Sequence, residues 1–219
     1  MQVGLLSDVH ANRPALAAVL ADMPPVDRVL CAGDLVGYNP WPAAVLETIR
    51  ERAIASVQGN HDRMVASGRN FPGNEMARAG VRVAREQLAP EQIKYLGELP
   101  TERYCCDGQV KVVHGHPEDP DRYTYPEAFG PHLHGEESVL VMGHTHVQHV
   151  QETEAGIVLN PGSVGQPRDR DPRAAYAVLD LDALRVETRR VRYDISQVEQ
   201  AVAEAGLPLE TAIRLRDGR

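Results

Sequence analysis

Gly59-Asn60-His61-Asp62 closes a short apolar run, Ala53, Ile54, Ala55 and Val57. An apolar run of that length, bounded by glycine, reads as a strand that stops where a loop begins. The arrangement recurs along the chain. Asp8-Val9-His10 follows the apolar residues 3–6, and Gly33-Asp34 follows 29–32. Further on, His114-Gly115 follows 110–113, and Gly143-His144-Thr145-His146 follows 139–142. Each of five strands thus delivers a metal-type ligand at its carboxyl end, the edge where α/β sheets form their sites.

Taken in order, residues 3–7 read as a buried parallel strand, apolar on both faces. Asp8 and His10 stand two apart, so an extended backbone there puts both on one side, within reach of one ion. Asn12 is a good N-cap, Pro14 tolerates the first helical turn, and Leu16, Val19 and Leu20 supply the buried face. This strand–loop–helix unit repeats: a strand over 27–32, then Gly33-Asp34-Leu35-Val36-Gly37-Tyr38, then a helix over 41–51. Residues 63–99 read as helical, with Met76, Val83 and Leu88 on the apolar stripe and a short helix opening at Pro90. Beyond Pro100 the texture changes to short strands. Asp107-Gly108 is a hairpin signal between 101–106 and 109–114. Further strands are expected over 139–142, 147–153, 156–159, 174–179 and 184–191. Residues 117–137 form a polar, Pro-rich loop carrying Tyr123, Tyr125 and Phe129, of the length used for lids and binding loops. Ile195, Val198 and Val202 mark a late helix, Gly206 ends it, and Pro208 opens a short final one.

The 219 residues fit one domain, 1–219, and 42% hydrophobic residues suffice for a real core. No apolar run approaches the roughly 18 residues of a membrane span. The first strand begins at Met1 or Gln2, which leaves no room for a signal peptide, so a cytoplasmic location is expected. Cys31, Cys105 and Cys106 make an odd count with two neighbours adjacent, which argues against a disulfide framework. Cys105 and Cys106 read as strand-packing residues rather than soft metal ligands. The net charge is −8 with scattered cations, so duplex nucleic acid is not an expected partner. An acidic surface also repels anionic substrates, and local positive charge at the site must come from metal ions.

The ordered set Asp8-x-His10, Gly33-Asp34, Gly59-Asn60-His61-Asp62, His114 and Gly143-His144-x-His146 resembles the calcineurin-like metallophosphoesterases over residues 3–180. More narrowly, residues 6–12 and 160–168 look like the small bacterial phosphodiesterase branch of that superfamily. The resemblance implies an α/β fold (α+β in some schemes): a two-sheet β-sandwich flanked by helices, four layers in the order αββα. It implies that Asp8, His10, Asp34 and His146 bind one divalent ion and that Asp34, Asn60, His114 and His144 bind a second, with Asp34 bridging. Four imidazoles among oxygen donors suit manganese, iron, cobalt, nickel or zinc better than magnesium. Two such ions bring four positive charges, of which Asp8 and Asp34 cancel two. The remainder can hold a bridging hydroxide for in-line attack and a phosphate.

Singly, each of these residues has a plainer reading: a core histidine, a helix cap, a turn asparagine. His61 is expected not to be a ligand. The family role places it over the substrate phosphate, as general acid to the leaving oxygen or as charge stabiliser. Asp62 either orients the His61 ring or caps the following helix. Asn12 and Arg13 lie beside the first ligand loop, and Arg168 either reaches a phosphate oxygen or stands exposed. The segment 160–168 is read as support for the ligands or as a tight strand connection. Tyr123 and Tyr125 either stack a nucleoside base or anchor the loop. His116, His132, His134 and His149 fit no ligand slot, and His116 is expected in solvent.

Two departures narrow the resemblance. Ala11 stands where relatives often carry glycine. Leu35-Val36-Gly37-Tyr38 replaces the Asp-Arg-Gly of phosphoprotein phosphatases, which points to small diesters or nucleotides. The alternatives are a phosphomonoesterase, acting on small molecules or proteins, and a non-catalytic metal-binding scaffold of the same fold. A retromer subunit of that fold has lost the catalytic histidine; here His61 is present. No residue pattern demands an oligomer, and a homodimer stays open.

Overall fold

The computed structural model describes residues 1–69 and 73–219. The elements run β1 (Gln2–Leu6), α1 (Arg13–Asp22), β2 (Arg28–Cys31), α2 (Pro42–Glu51), β3 (Ala55–Ser56), α3 (Asn60–Ser67), α4 (Glu75–Gln87), α5 (Pro90–Glu98) and β4 (Glu102–Cys105). There follow β5 (Val110–Val113), β6 (Val139–Val141), β7 (His149–Thr153), β8 (Gly156–Asn160), β9 (Ala174–Asp180), β10 (Arg185–Val191), α6 (Ile195–Glu204) and α7 (Glu210–Ile213). The strands build two five-stranded sheets, ordered β10-β9-β1-β2-β3 and β4-β5-β6-β8-β7. Strands β1, β2 and β3 pair in parallel, as do β5, β6 and β8, while β9, β10, β4 and β7 add antiparallel edges.

Strand alternation sorts the core. Val3 and Leu5 of β1 face Val110 and Val112 of β5, Val139 and Val141 of β6, and Ile157 and Leu159 of β8, which makes the layer between the sheets. Leu6, Cys31, Tyr176 and Val178 turn the other way and meet Leu16, Val19, Leu46, Ile49 and Val81 from the helices. The outer face of the second sheet carries Val113, Leu140, Met142 and Val158, and its cover is the 117–137 loop through Leu133 and Phe129. That loop contains two 3-10 turns, Pro126–Ala128 and Pro131–Leu133. The C-terminal elements pack elsewhere: Val198, Val202, Leu207, Ala212 and Leu215 close over Ala79 and Val83 of α4.

Local chemistry sets the element ends. Asn12 caps α1 by accepting from the Ala15 amide at 3.2 Å. The strand expected over 53–57 shrinks to Ala55–Ser56 because Ala53 sits at φ 50°, a left-handed turn that ends the preceding helix. Residues 63–99 resolve into three helices, of which α3 starts earlier, at Asn60; residues 70–72 of that stretch lie outside those described. Among the described residues no helix is long and apolar enough to cross a membrane.

Candidate metal centre

Asp8 and His10 follow β1, Asp34 follows β2, Asn60 follows β3, His114 follows β5, and His144 and His146 follow β6. The two sheets bring these carboxyl ends to one edge. Three groups form there with donor atoms within 4.8 Å of one another: Asp8, His10 and His146; His10, Asp34 and His61; and Asp34, His114 and His144. All of these side chains are buried.

The loops are not extended as expected. The backbone leaves β1 at Leu6, and Asp8 and His10 sit at φ 52° and 48°. The reason is that the first loop runs along the second, with the amides of Asp8, His10 and Ala11 donating to the carbonyls of Gly33, Asp34 and Leu35. Asp34, His144 and His146 are left-handed too. Five of the seven expected ligands therefore occupy a region that costs a side-chain-bearing residue about 1 kcal/mol or more. Strain of this kind clusters at functional sites.

Hydrogen bonds fix which atoms face inward. Asp8 Oδ2 accepts from the Ser7 hydroxyl at 2.6 Å and the His144 amide at 3.0 Å. Asp8 Oδ1 is buried without a hydrogen-bond partner and faces His146 Nε2 at 3.2 Å and His10 Nε2 at 3.9 Å. Asp34 Oδ1 accepts from the His61 amide at 2.8 Å. Asp34 Oδ2 stands 3.6 Å from His10 Nε2 and 3.5 Å from His114 Nε2, between the two groups. The Nδ1 atoms of His10, His114 and His146 lie 3.2, 2.7 and 2.5 Å from the carbonyls of Val36, Ala32 and Gln166. A carbonyl needs a donor, so Nδ1 carries a proton in each ring and Nε2 is the atom turned inward. His10 Nε2 and His146 Nε2 are 3.1 Å apart. Two lone pairs that close, beside an unsatisfied carboxylate oxygen, are what a cation relieves. His144 has the opposite tautomer, with Nε2 3.1 Å from the Asp121 carbonyl, so Nδ1 faces inward. Asn60 Oδ1 lies 3.1 Å from His114 Nε2. The donor set thus fits divalent transition metals.

The same packing moves the titration of the metal-free groups. Burial opposes protonation of His114, but Asp34 outweighs it and holds the ring up at about 9. Burial pushes His144 down to about 4, with the His114 charge acting the same way. His61 falls to about 4 through burial, and the positive Arg168 adds to this. A negatively charged phosphate beside His61 would act in the opposite direction.

Glycine at 59 is obligatory, since a Cβ there would overlap the Asp34 carboxylate and amide. Segment 160–168 supports the ligand loops. The Ser163 hydroxyl donates to the Asp8 carbonyl at 2.7 Å, and Asn160 Nδ2 donates to the Gly143 carbonyl at 2.7 Å. Asn12 Nδ2 donates to the Gly165 carbonyl at 3.0 Å, so Asn12 both caps its helix and ties two loops. The Asp62 carboxylate, read either as orienting the His61 ring or as a helix cap, meets three backbone donors. Oδ1 accepts from the Leu35 and Val36 amides at 2.9 and 3.2 Å, and Oδ2 from the Gly59 amide at 3.0 Å. Three backbone donors make it a clamp between the second and third ligand loops, although burial pushes its pKa to about 7.

A pocket of about 300 Å³ opens on these residues, lined also by Tyr38, Tyr123, Arg168 and Arg214. The Tyr123 ring stacks on His144 with centroids 3.9 Å apart, and Tyr125 stacks on Tyr123 at 6.1 Å, half exposed. Phe129 instead anchors the loop against His149. Arg13 stands exposed at the start of α1, away from the pocket lining. His116 is buried rather than in solvent, because its Nδ1 accepts from the Glu118 amide inside a tight turn. Among the described residues no cysteine joins a metal-type group. Tyr38 and Arg214 went unread in the sequence. Tyr38 follows Gly33-Asp34 closely enough to have been a candidate, whereas nothing in the sequence around Arg214 ties it to the site.

A sandwich with this set of ligand loops defines a class, and the comparisons agree: the chain belongs to the calcineurin-like phosphoesterase superfamily, whose domain model matches residues 1–184. It is a metal-dependent phosphoester hydrolase. A metallophosphoesterase from Sphaerobacter thermophilus is 37% identical and superposes with a TM-score of 0.84, over 100% of this chain and 99% of that one. An uncharacterized protein of Methanocaldococcus jannaschii is 30% identical over 99% of this chain and 98% of its own length. Phosphodiesterase YfcE of Escherichia coli is 26% identical over 90% of this chain and 97% of its own.

Proposed function

We propose that the chain is a dinuclear-metal phosphodiesterase acting on small diesters or nucleotides, folded as a single domain over residues 1–219. The observation that carries the dinuclear reading is the place of Asp34 Oδ2, 3.6 Å from His10 Nε2 and 3.5 Å from His114 Nε2. One carboxylate oxygen would then be within reach of both ions. Asp8, His10, Asp34 and His146 would hold the first, and Asp34, Asn60, His114 and His144 the second. When bound, manganese, iron, cobalt, nickel or zinc would polarise the phosphoryl oxygens and acidify water at neutral pH. The chain supplies the rest. His61, held by its amide on Asp34 Oδ1, stands over the pocket to protonate the leaving oxygen or to stabilise its charge. The carbonyls of Val36, Ala32 and Gln166 keep three imidazoles in the tautomer that points lone pairs inward. The Asp62 clamp keeps the Asp34 and Asn60 loops in register. Support for a diester comes from the likeness to a protein named phosphodiesterase and from the absence of Asp-Arg-Gly after Asp34.

The test is hydrolysis of bis-p-nitrophenyl phosphate beside p-nitrophenyl phosphate, with Mn²⁺ and after chelation, on wild type and His61→Ala. Metal-dependent diester cleavage is expected. His61→Ala should keep two metals per chain by elemental analysis and lose about a hundredfold in turnover. Preference for the monoester would refute the diester reading, and normal turnover in metal-loaded His61→Ala would refute the role of His61.

A further inference from the structure

One wall of the pocket carries two guanidiniums that the metal chemistry does not use. Arg168 leaves segment 160–168 and is held in one direction. Its Nη2 donates to Gln166 Oε1 at 2.8 Å and to the Tyr38 hydroxyl at 3.2 Å, and its Cζ lies 5.8 Å from the centre of the Tyr38 ring. Arg214 comes from the opposite direction in the chain. It opens the last 3-10 turn, Arg214–Asp217, and is anchored by the buried Ala212 and Leu215 on either side. Its Nε donates to the main-chain oxygen of Arg219, and the residue lines the pocket. Among the described residues neither guanidinium is paired with an Asp or Glu side chain. Burial lowers the pKa of Arg214, and the nearby positive charge of Arg168 lowers it further.

Two guanidiniums on one wall, neither facing an Asp or Glu side chain among the described residues, favour an anion between them. A single diester does not supply enough negative charge. Two divalent ions would bring four positive charges, Asp8 and Asp34 would cancel two and a bridging hydroxide a third, and the two arginines add two more. A diester phosphate brings one negative charge.

We propose that Arg168 and Arg214 form a seat for a second phosphoryl group beside the reacting one, so that the preferred substrates carry two linked phosphates. The proposal rests on the phosphoesterase reading above and names its substrate class. Arg168 lies within residues 1–184, which the family model matches, and Arg214 lies beyond them, so the C-terminal turn completes the seat. The forked guanidinium suits the task because two parallel N–H groups meet two phosphate oxygens.

The experiment is calorimetric titration of the metal-loaded protein with inorganic phosphate and with pyrophosphate. Metal content is measured after each run. Wild type, Arg214→Gln, Arg168→Gln and Arg214→Lys are compared. Wild type should bind pyrophosphate about tenfold or more tightly than orthophosphate, the scale of one charge-assisted contact. Each glutamine variant should lose about tenfold of that preference, and Arg214→Lys should recover part of it. A preference unchanged in Arg214→Gln, or absent in wild type that binds orthophosphate, overturns the second seat alone. Protein that keeps two metals and binds neither anion overturns the phosphoesterase reading together with it.

Discussion

Gly80→Ala tests whether helix α4 sets the site from behind. In an exposed helix interior that change stabilises by about 1 kcal/mol, because alanine has the better propensity. At Gly80 a Cβ would run into the Tyr38 amide, with Tyr38 Cα at 2.5 Å and the Gly37 carbonyl carbon at 3.0 Å. All three are backbone atoms of a loop tied down by the Asp62 clamp, so they cannot swing aside as a side chain would. Overpacking of this kind costs about 1–3 kcal/mol. Taking the upper end, since the obstacle is rigid, and subtracting the propensity gain leaves a net loss of about 2 kcal/mol. For a chain of this size that lowers Tm by about 4–8 °C. The activity should fall further than the stability implies. Tyr38 touches both His61, with ring centroids 4.7 Å apart, and Arg168, and small displacements of such groups cost about ten- to a hundredfold in kcat/KM. Gly97→Ala is the control. It lies on exposed α5, where its Cβ would meet only Ala66 Cβ at 3.4 Å, an ordinary contact, and it should raise Tm by about 1–4 °C. The pair is read by thermal melts and by hydrolysis of bis-p-nitrophenyl phosphate. Equal stabilisation by both substitutions would refute the packing of α4 against the Tyr38 loop.

Chelation should abolish activity and lower Tm by about 5–10 °C, the effect of removing a ligand present at roughly a hundred times its Kd; unchanged Tm and activity after verified metal removal would contradict the site. Asp62→Asn places an amide nitrogen against backbone donors and should cost about 2–3 kcal/mol, seen as a Tm lower by about 4–12 °C. Full stability with lost turnover would instead make Asp62 an orienting residue for His61. Tyr123→Ala should lower kcat/KM more for the p-nitrophenyl ester of thymidine 5′-phosphate than for bis-p-nitrophenyl phosphate, by about fivefold, as loss of one stacking ring implies; an unchanged ratio removes base stacking.

Convergence of Asp8, His10, Asp34, Asn60, His114, His144 and His146 at one sheet edge was legible because each follows a β-branched run. A parallel strand fixes where its carboxyl end goes, whatever the loops do. The loops themselves were not legible. The spacing of Asp8 and His10 permits an extended backbone, yet the run of hydrogen bonds to Gly33, Asp34 and Leu35 turns them left-handed. That is a tertiary effect with no local signature. Asp62 shows the same limit: an aspartate three residues after a glycine signals a cap, but not that Leu35 and Val36 share it. Arg214 could not be placed because its route to the pocket depends on how α6 and α7 pack on α4, and apolar periodicity says which face is buried without saying against what.

The left-handed backbone at Asp8, His10, Asp34, His144 and His146 has a consequence for how such a chain changes over generations. At each of these positions glycine would relieve the backbone strain, while removing hydrogen bonds such as those that Asp8 and Asp34 accept from the His144 and His61 amides. Metal binding is then the force that keeps the side chain. A descendant released from catalysis should shed these residues early, exchanging backbone strain for the lost side-chain hydrogen bonds. One that still carries them all is under selection for the ions they face.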